Sequence, residues 1–131
     1  MEIIESLKLV GEQLSDLSKN IVYSRPQTVK EQMKDFVYVY APYGLTEKGA
    51  WSSSTIGIGL YCREKEGGMP NLAKLNEMVD KTREKFPITF GRYTFKNPKV
   101  RKSNTSDGLG FCYATIHIEL FVNTTDKYNN I

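Results

Sequence analysis

One histidine, two cysteines and one tryptophan in 131 residues leave this chain little of the equipment that catalysis or metal binding calls for. Cys62 and Cys112 are far apart in sequence, and neither sits in a C-x-x-C or H-x-x-x-H spacing, which argues against a zinc site. Long apolar runs are also missing, since none approaches the roughly 20 residues that a membrane helix requires. The start MEIIESLKLV is acidic and amphipathic, without the basic and apolar regions of a signal peptide. A cytoplasmic origin is therefore expected, with reduced thiols serving as small core residues.

What is present describes a soluble globular chain. Hydrophobic residues make up 40% and charged residues 25%, ordinary shares for a folded protein, and the length suits one domain spanning 1–131. The net charge of +3 is too small to mark a nucleic-acid binder by itself. Its distribution is uneven, however: Arg92, Lys96, Lys99, Arg101 and Lys102 crowd one tract that holds no acidic residue.

Periodicity assigns the elements. Ile3, Leu7, Val10, Leu14 and Leu17 form one stripe of an amphipathic helix over 2–18. Residues 21–24 read as a short strand ended by Arg25 and Pro26, and residues 27–35 as either a turn or one helical turn. The β-formers Phe36 to Tyr40 make a second strand, Tyr43 to Ser54 a connection, and Ile56 to Cys62 a third strand paired with the second as a hairpin. A second helix runs over 70–85, with Pro70 in its first turn and Pro87 after its end. Residues 88–95 supply a fourth strand and 97–110 a polar loop. From Phe111 to Val122, strict alternation gives a fifth strand with Cys112, Ala114, Ile116, Ile118, Leu120 and Val122 on its apolar side. The expected fold is α+β in the order α-β-β-β-α-β-β, a two-layer domain with two helices on one face of a mostly antiparallel sheet. Its other face stays open and carries aromatics, among them Tyr61, Tyr93, Tyr113 and Phe121.

Each chemical signal has a plainer reading beside it. The basic tract interleaved with Tyr93 and Phe95 suits a phosphate backbone, but those two rings share strand parity and so suit a core or interface equally. Gly57 with Gly59, Gly108 with Gly110, and Gly67-Gly68 lack the context of a phosphate loop and read as turn or packing positions. His117 and Glu119 share a strand face, where a carboxylate can tune an imidazole, yet Ser52, Ser53 and Ser54 lie in no nucleophile elbow. No catalytic, cofactor or metal residue is assigned. Trp51 in an otherwise polar connection, together with Arg92, Lys99, Arg101 and Lys102, marks the expected interface.

The assembled pattern resembles the tail-terminator and tail-completion (head-tail joining) proteins of long-tailed bacteriophages and their prophage relatives. The likeness runs over nearly the whole chain: the leading helix, Ile21-Val22-Tyr23-Ser24-Arg25-Pro26, the strand Phe36-Val37-Tyr38-Val39-Tyr40, the helix that opens Pro70-Asn71-Leu72-Ala73-Lys74-Leu75, and Asp107-Gly108-Leu109-Gly110-Phe111 before the last strand. The resemblance implies a non-enzymatic structural protein. Such a subunit forms a homo-oligomeric ring, commonly a hexamer, on the end of the tail tube, stops its growth and faces the head connector. It would act in the bacterial cytoplasm during assembly and then reside in the virion tail; terminator and joining roles both stay open. The rival reading is a small single-stranded nucleic-acid-binding module that uses the 92–102 tract.

Overall fold

The computed structural model describes residues 2–23, 34–42, 46–48, 51–108 and 110–123. In chain order the elements are α1 (Glu2–Gln13), β1 (Ile21–Val22), β2 (Asp35–Tyr40), β3 (Thr46–Lys48), β4 (Trp51–Arg63), α2 (Leu72–Glu84), β5 (Ile88–Phe90), β6 (Tyr93–Ser106) and β7 (Phe111–Asn123), with a short 3₁₀ turn at Glu66–Gly68 before α2. β4 and β7 pair antiparallel along their full lengths, from Trp51 opposite Asn123 to Arg63 opposite Phe111. They form the centre of a seven-stranded sheet in the order β1-β2-β4-β7-β6-β5, with β3 paired to the first residues of β4. β1 joins β2 in parallel, and among the described residues the other strand pairings of the sheet are antiparallel.

Alternation along these strands divides the sheet into two faces. Val37, Val39, Ile56, Ile58, Leu60, Ala114, Ile116, Ile118 and Leu120 are buried on one, in a single cluster with Val10, Leu14 and Leu17 from the α1 region and Leu75, Met78 and Val79 of α2. Each such Val, Leu, Ile or Met side chain withdrawn from water stabilises the fold by about 1.5–3 kcal/mol. Asn71 starts α2 by accepting a hydrogen bond from the Lys74 backbone N–H at 3.3 Å. Lys85, just past the end of α2, reaches Asp16 at 3.0 Å and ties the two helical segments together. Gly11 is the point of close approach on α1, because a methyl group there would meet the Tyr23 hydroxyl at 2.1 Å.

Several expected boundaries move. α1 ends at Gln13, after which Leu14 to Leu17 form turns with bonds such as Leu17 N–H to Leu14 C=O, although Leu14 and Leu17 remain buried as the helical stripe required. α2 begins after Pro70 and Asn71. The expected 43–54 connection contains β3 and the beginning of β4, so the tip of the hairpin is itself a hairpin. Ser24 and most of 27–35 lie outside the described residues, with Asp35 already in β2.

The largest correction concerns residues 88–110. Instead of one strand and a loop, the chain turns at Gly91-Arg92 and continues as the fourteen-residue β6. Gly91 makes that reversal at φ +56°, in the left-handed region glycine enters freely. Polar composition disguised β6 because it lies toward the sheet margin, where one side of the strand has little apolar cover. The outcome is a curled seven-stranded sheet with two helices in place of a simple five-stranded two-layer form. Long twisted strands and the irregular β6–β7 register both favour curling.

Ile58 is fully buried at the centre of the sheet. Replacing it with alanine is expected to cost about 2–5 kcal/mol, read as a lower urea midpoint with an unchanged denaturant slope.

Candidate interaction surface

The face opposite the helices is built from the other strand parity. Phe36, Tyr61 and Tyr113 are direct neighbours across β2, β4 and β7, and their rings stack at centroid distances of 4.4 and 5.0 Å. Phe111 meets Phe36 edge-on at 5.1 Å, and the Arg63 guanidinium lies 4.2 Å over the Phe111 ring. Burial pushes the Tyr61 phenol up to about 12, so it remains a neutral hydroxyl. One step along, Gly57 and Gly59 are opposite Tyr40 and Tyr38. A methyl group on Gly57 would come within 2.2 Å of Tyr40 Cζ, so the glycine leaves the space that the ring fills. Tyr40 then stacks on Tyr38 at 4.7 Å and meets His117 edge-on at 6.4 Å.

Cations flank these rings from β6. Lys96 is opposite Glu119, Lys99 opposite His117 and Lys102 opposite Thr115, with register shifts between them. Asn97 takes φ +57° at the first irregularity, a left-handed conformation that asparagine tolerates, and its Nδ2 donates to Glu119 Oε2 at 2.7 Å. Lys96 Nζ lies 4.6 Å over the Phe121 ring. Beside it, Trp51, Ser53, Thr94, Lys96 and Phe121 line an open recess of about 410 Å³. β5 covers β6 only as far as Phe95, and among the described residues no strand pairs with the outer edge beyond it. Lysines, Pro98 and an irregular register are the usual protections of such an edge against indiscriminate strand pairing.

The expected interface residues do not gather at one point. Trp51 is 44% exposed at the recess. Arg101 and Lys102 are exposed on the middle of β6, and Lys99 borders a second recess of about 660 Å³ with Arg83, Glu84, Asn97 and Pro98. Arg92 stands apart in the β5–β6 turn, 5.3 Å over Tyr93 and donating to its hydroxyl at 3.3 Å. Tyr93 is a correction too: it is buried on the helix side, where its hydroxyl donates to Glu5, and Phe95 beside it is fully buried. Tyr61, Tyr113 and Phe121 do lie on the open face, joined there by Phe36, Tyr38, Tyr40 and Phe111. Tyr38, Tyr40 and the role of Lys96 escaped the sequence reading, although the alternation of Tyr38 and Tyr40 against Gly57 and Gly59 was a usable signal.

His117 and Glu119 have different neighbours. The imidazole faces Tyr40, whereas the Glu119 carboxylate accepts from Asn97. Ser52 is buried and Ser53 lines the recess. Among the described residues, no group of three His, Cys, Asp or Glu side chains is placed to hold a metal ion. No described helix is long and apolar enough to cross a membrane.

Burial, and secondarily the Arg101 charge, lowers the His117 pKa below its ordinary 6.5. The unfolded chain therefore takes up this proton before the native one does. The stability associated with neutral His117 is complete above pH 6.5 and declines as pH falls toward the lowered native value. Stability measured by denaturation across that window should fall less steeply in His117→Gln than in the wild type, and Arg101→Gln should raise the imidazole pKa in an NMR titration.

No family model and no curated protein matches this chain. One solved structure, which carries no functional name, superposes with a TM-score of 0.59 over 92% of this chain and 94% of that one at 11% sequence identity. At such identity the likeness establishes a shared fold alone.

Proposed function

We propose that this protein is a non-enzymatic assembly subunit of a phage or prophage tail, a terminator or head-tail joining protein that closes into a ring on the tail tube. The observation that carries the reading is the division of the sheet: both helices pack on one face, while the other presents half-buried aromatics flanked by lysines and arginines. Apolar surface of this kind is best covered by association with other protein. The short β3–β4 hairpin and the margin of β6 offer two dissimilar patches, which a head-to-tail ring requires.

The single-stranded nucleic-acid reading gains one point, since Lys96 shares a recess with Trp51 and Phe121. It loses more elsewhere. Tyr61 is sandwiched between Phe36 and Tyr113, and Tyr38 and Tyr40 cover one another, so much of the ring surface on which bases would stack is occupied within the chain.

The test is assembly with a polymerising tail-tube protein, followed by light scattering and electron microscopy. The wild type is expected to form a discrete oligomer on tube ends and to cap tube length. A chain that stays monomeric and leaves tube length unchanged overturns the proposal. His117→Ala and Glu119→Ala are expected to retain capping, and a reproducible hydrolase or transferase activity lost in His117→Ala would refute the non-enzymatic reading.

A further inference from the structure

We infer that the open face docks an extended acidic segment of a partner protein, laid along β7 so that carboxylates on alternate residues meet the β6 cations while an apolar side chain enters the recess between Trp51 and Phe121. The inference rests on the assembly reading above and names the chemistry of the partner.

The irregular pairing of β6 and β7 carries the argument. From Lys96 to Lys99, β6 advances three residues while β7 advances two, from Glu119 to His117; from Lys99 to Lys102 it again advances three against two, from His117 to Thr115. Cations spaced by three in sequence are thereby brought opposite every second residue of β7, a repeat of about 7 Å. Arg101 adds its charge from the irregularity between Val100, opposite Ile116, and Lys102, opposite Thr115, near enough to act on the His117 imidazole. An extended peptide has the same repeat, because its alternate side chains share one face. Glu119 and its bond from Asn97 sit opposite Lys96, so the excess positive charge lies toward Lys99, Arg101 and Lys102. At the other end, Lys96 packs on Phe121 and closes the side of the recess. An apolar anchor followed by acids at alternate positions matches both features in one pass, and complementary charge supplies register and partner choice.

Fluorescence anisotropy at low ionic strength, on the full chain, tests the inference with three probes. One is a peptide with a leucine followed by glutamates on alternate residues, the second an isomer of equal composition with its glutamates grouped, and the third a single-stranded oligothymidylate of equal charge. The alternating peptide is expected to bind at least about fivefold more tightly than its isomer, and the triple reversal of Lys99, Arg101 and Lys102 to glutamate is expected to remove that preference. Trp51→Ala should weaken binding of the alternating peptide, whose leucine loses one wall of its recess. Equal binding of the two isomers, tighter binding of the oligothymidylate, no measurable binding, or a preference that survives the reversal overturns it. Circular dichroism of the reversal variant checks that these exposed changes leave the fold intact. A chain that caps tubes yet gives any overturning result retains the assembly reading and loses the acidic segment.

Discussion

The pairing of β4 with β7 is the constraint on which the rest of the molecule depends. Thirteen residues of each strand run in one uninterrupted register, with Ile56 opposite Ile118, Ile58 opposite Ile116 and Leu60 opposite Ala114. A slip by one residue would carry that apolar set to the solvent side and place Glu119 and His117 against the helices, so the register is strongly determined. With it settled, β2 and β6 can add only at the flanks, and the division between a helix-covered face and an aromatic face follows.

Polar contacts secure the margin where the sheet is thinnest. β1 contributes only two residues, yet Asn20 C=O accepts from Val37 N–H at 2.8 Å, Asn20 Nδ2 donates to the Asp35 carbonyl at 3.1 Å, and the Ser18 hydroxyl donates to the Asp35 carboxylate. Lys74 of α2 approaches the same carboxylate at 3.5 Å, bringing the α1 connection, β2 and α2 to one point. Cys62 and Cys112 lie side by side in the nearby core with their sulfurs 3.4 Å apart. Burial pushes the Cys62 thiol up to about 12, which leaves almost no reactive thiolate at neutral pH.

At the opposite margin the same physical problem has a different solution. β6 runs past the end of β5, and its irregular register, Pro98 and lysines make that edge a poor template for another strand. The irregularities also change which cations stand beside the aromatic face. The same register shifts that discourage unspecific edge pairing thus set Lys96, Lys99 and Lys102 opposite alternate residues of β7.

Much of this architecture was legible in the chain. The twelve-residue alternation ending at Val122 announced β7, the β-formers at Phe36 to Tyr40 announced β2, and apolar spacing placed both helices within a few residues, because these elements bury one face and their periodicity records it. The two thiols were likewise readable as core residues. β6 was not, since a strand at a poorly covered margin carries no apolar alternation, and its polar residues resemble a loop until β7 supplies the hydrogen-bonding partner. The residues expected at an interface show the same divide. Their chemistry was visible as a basic tract and a lone tryptophan, but only tertiary structure separated Arg92 from Lys99, Arg101 and Lys102, moved Tyr93 into the core and set Lys96 over Phe121. Sequence by itself determined which residues seek burial; long-range pairing decided which charges and rings share a surface, because register is a property of two strands and is written in neither alone.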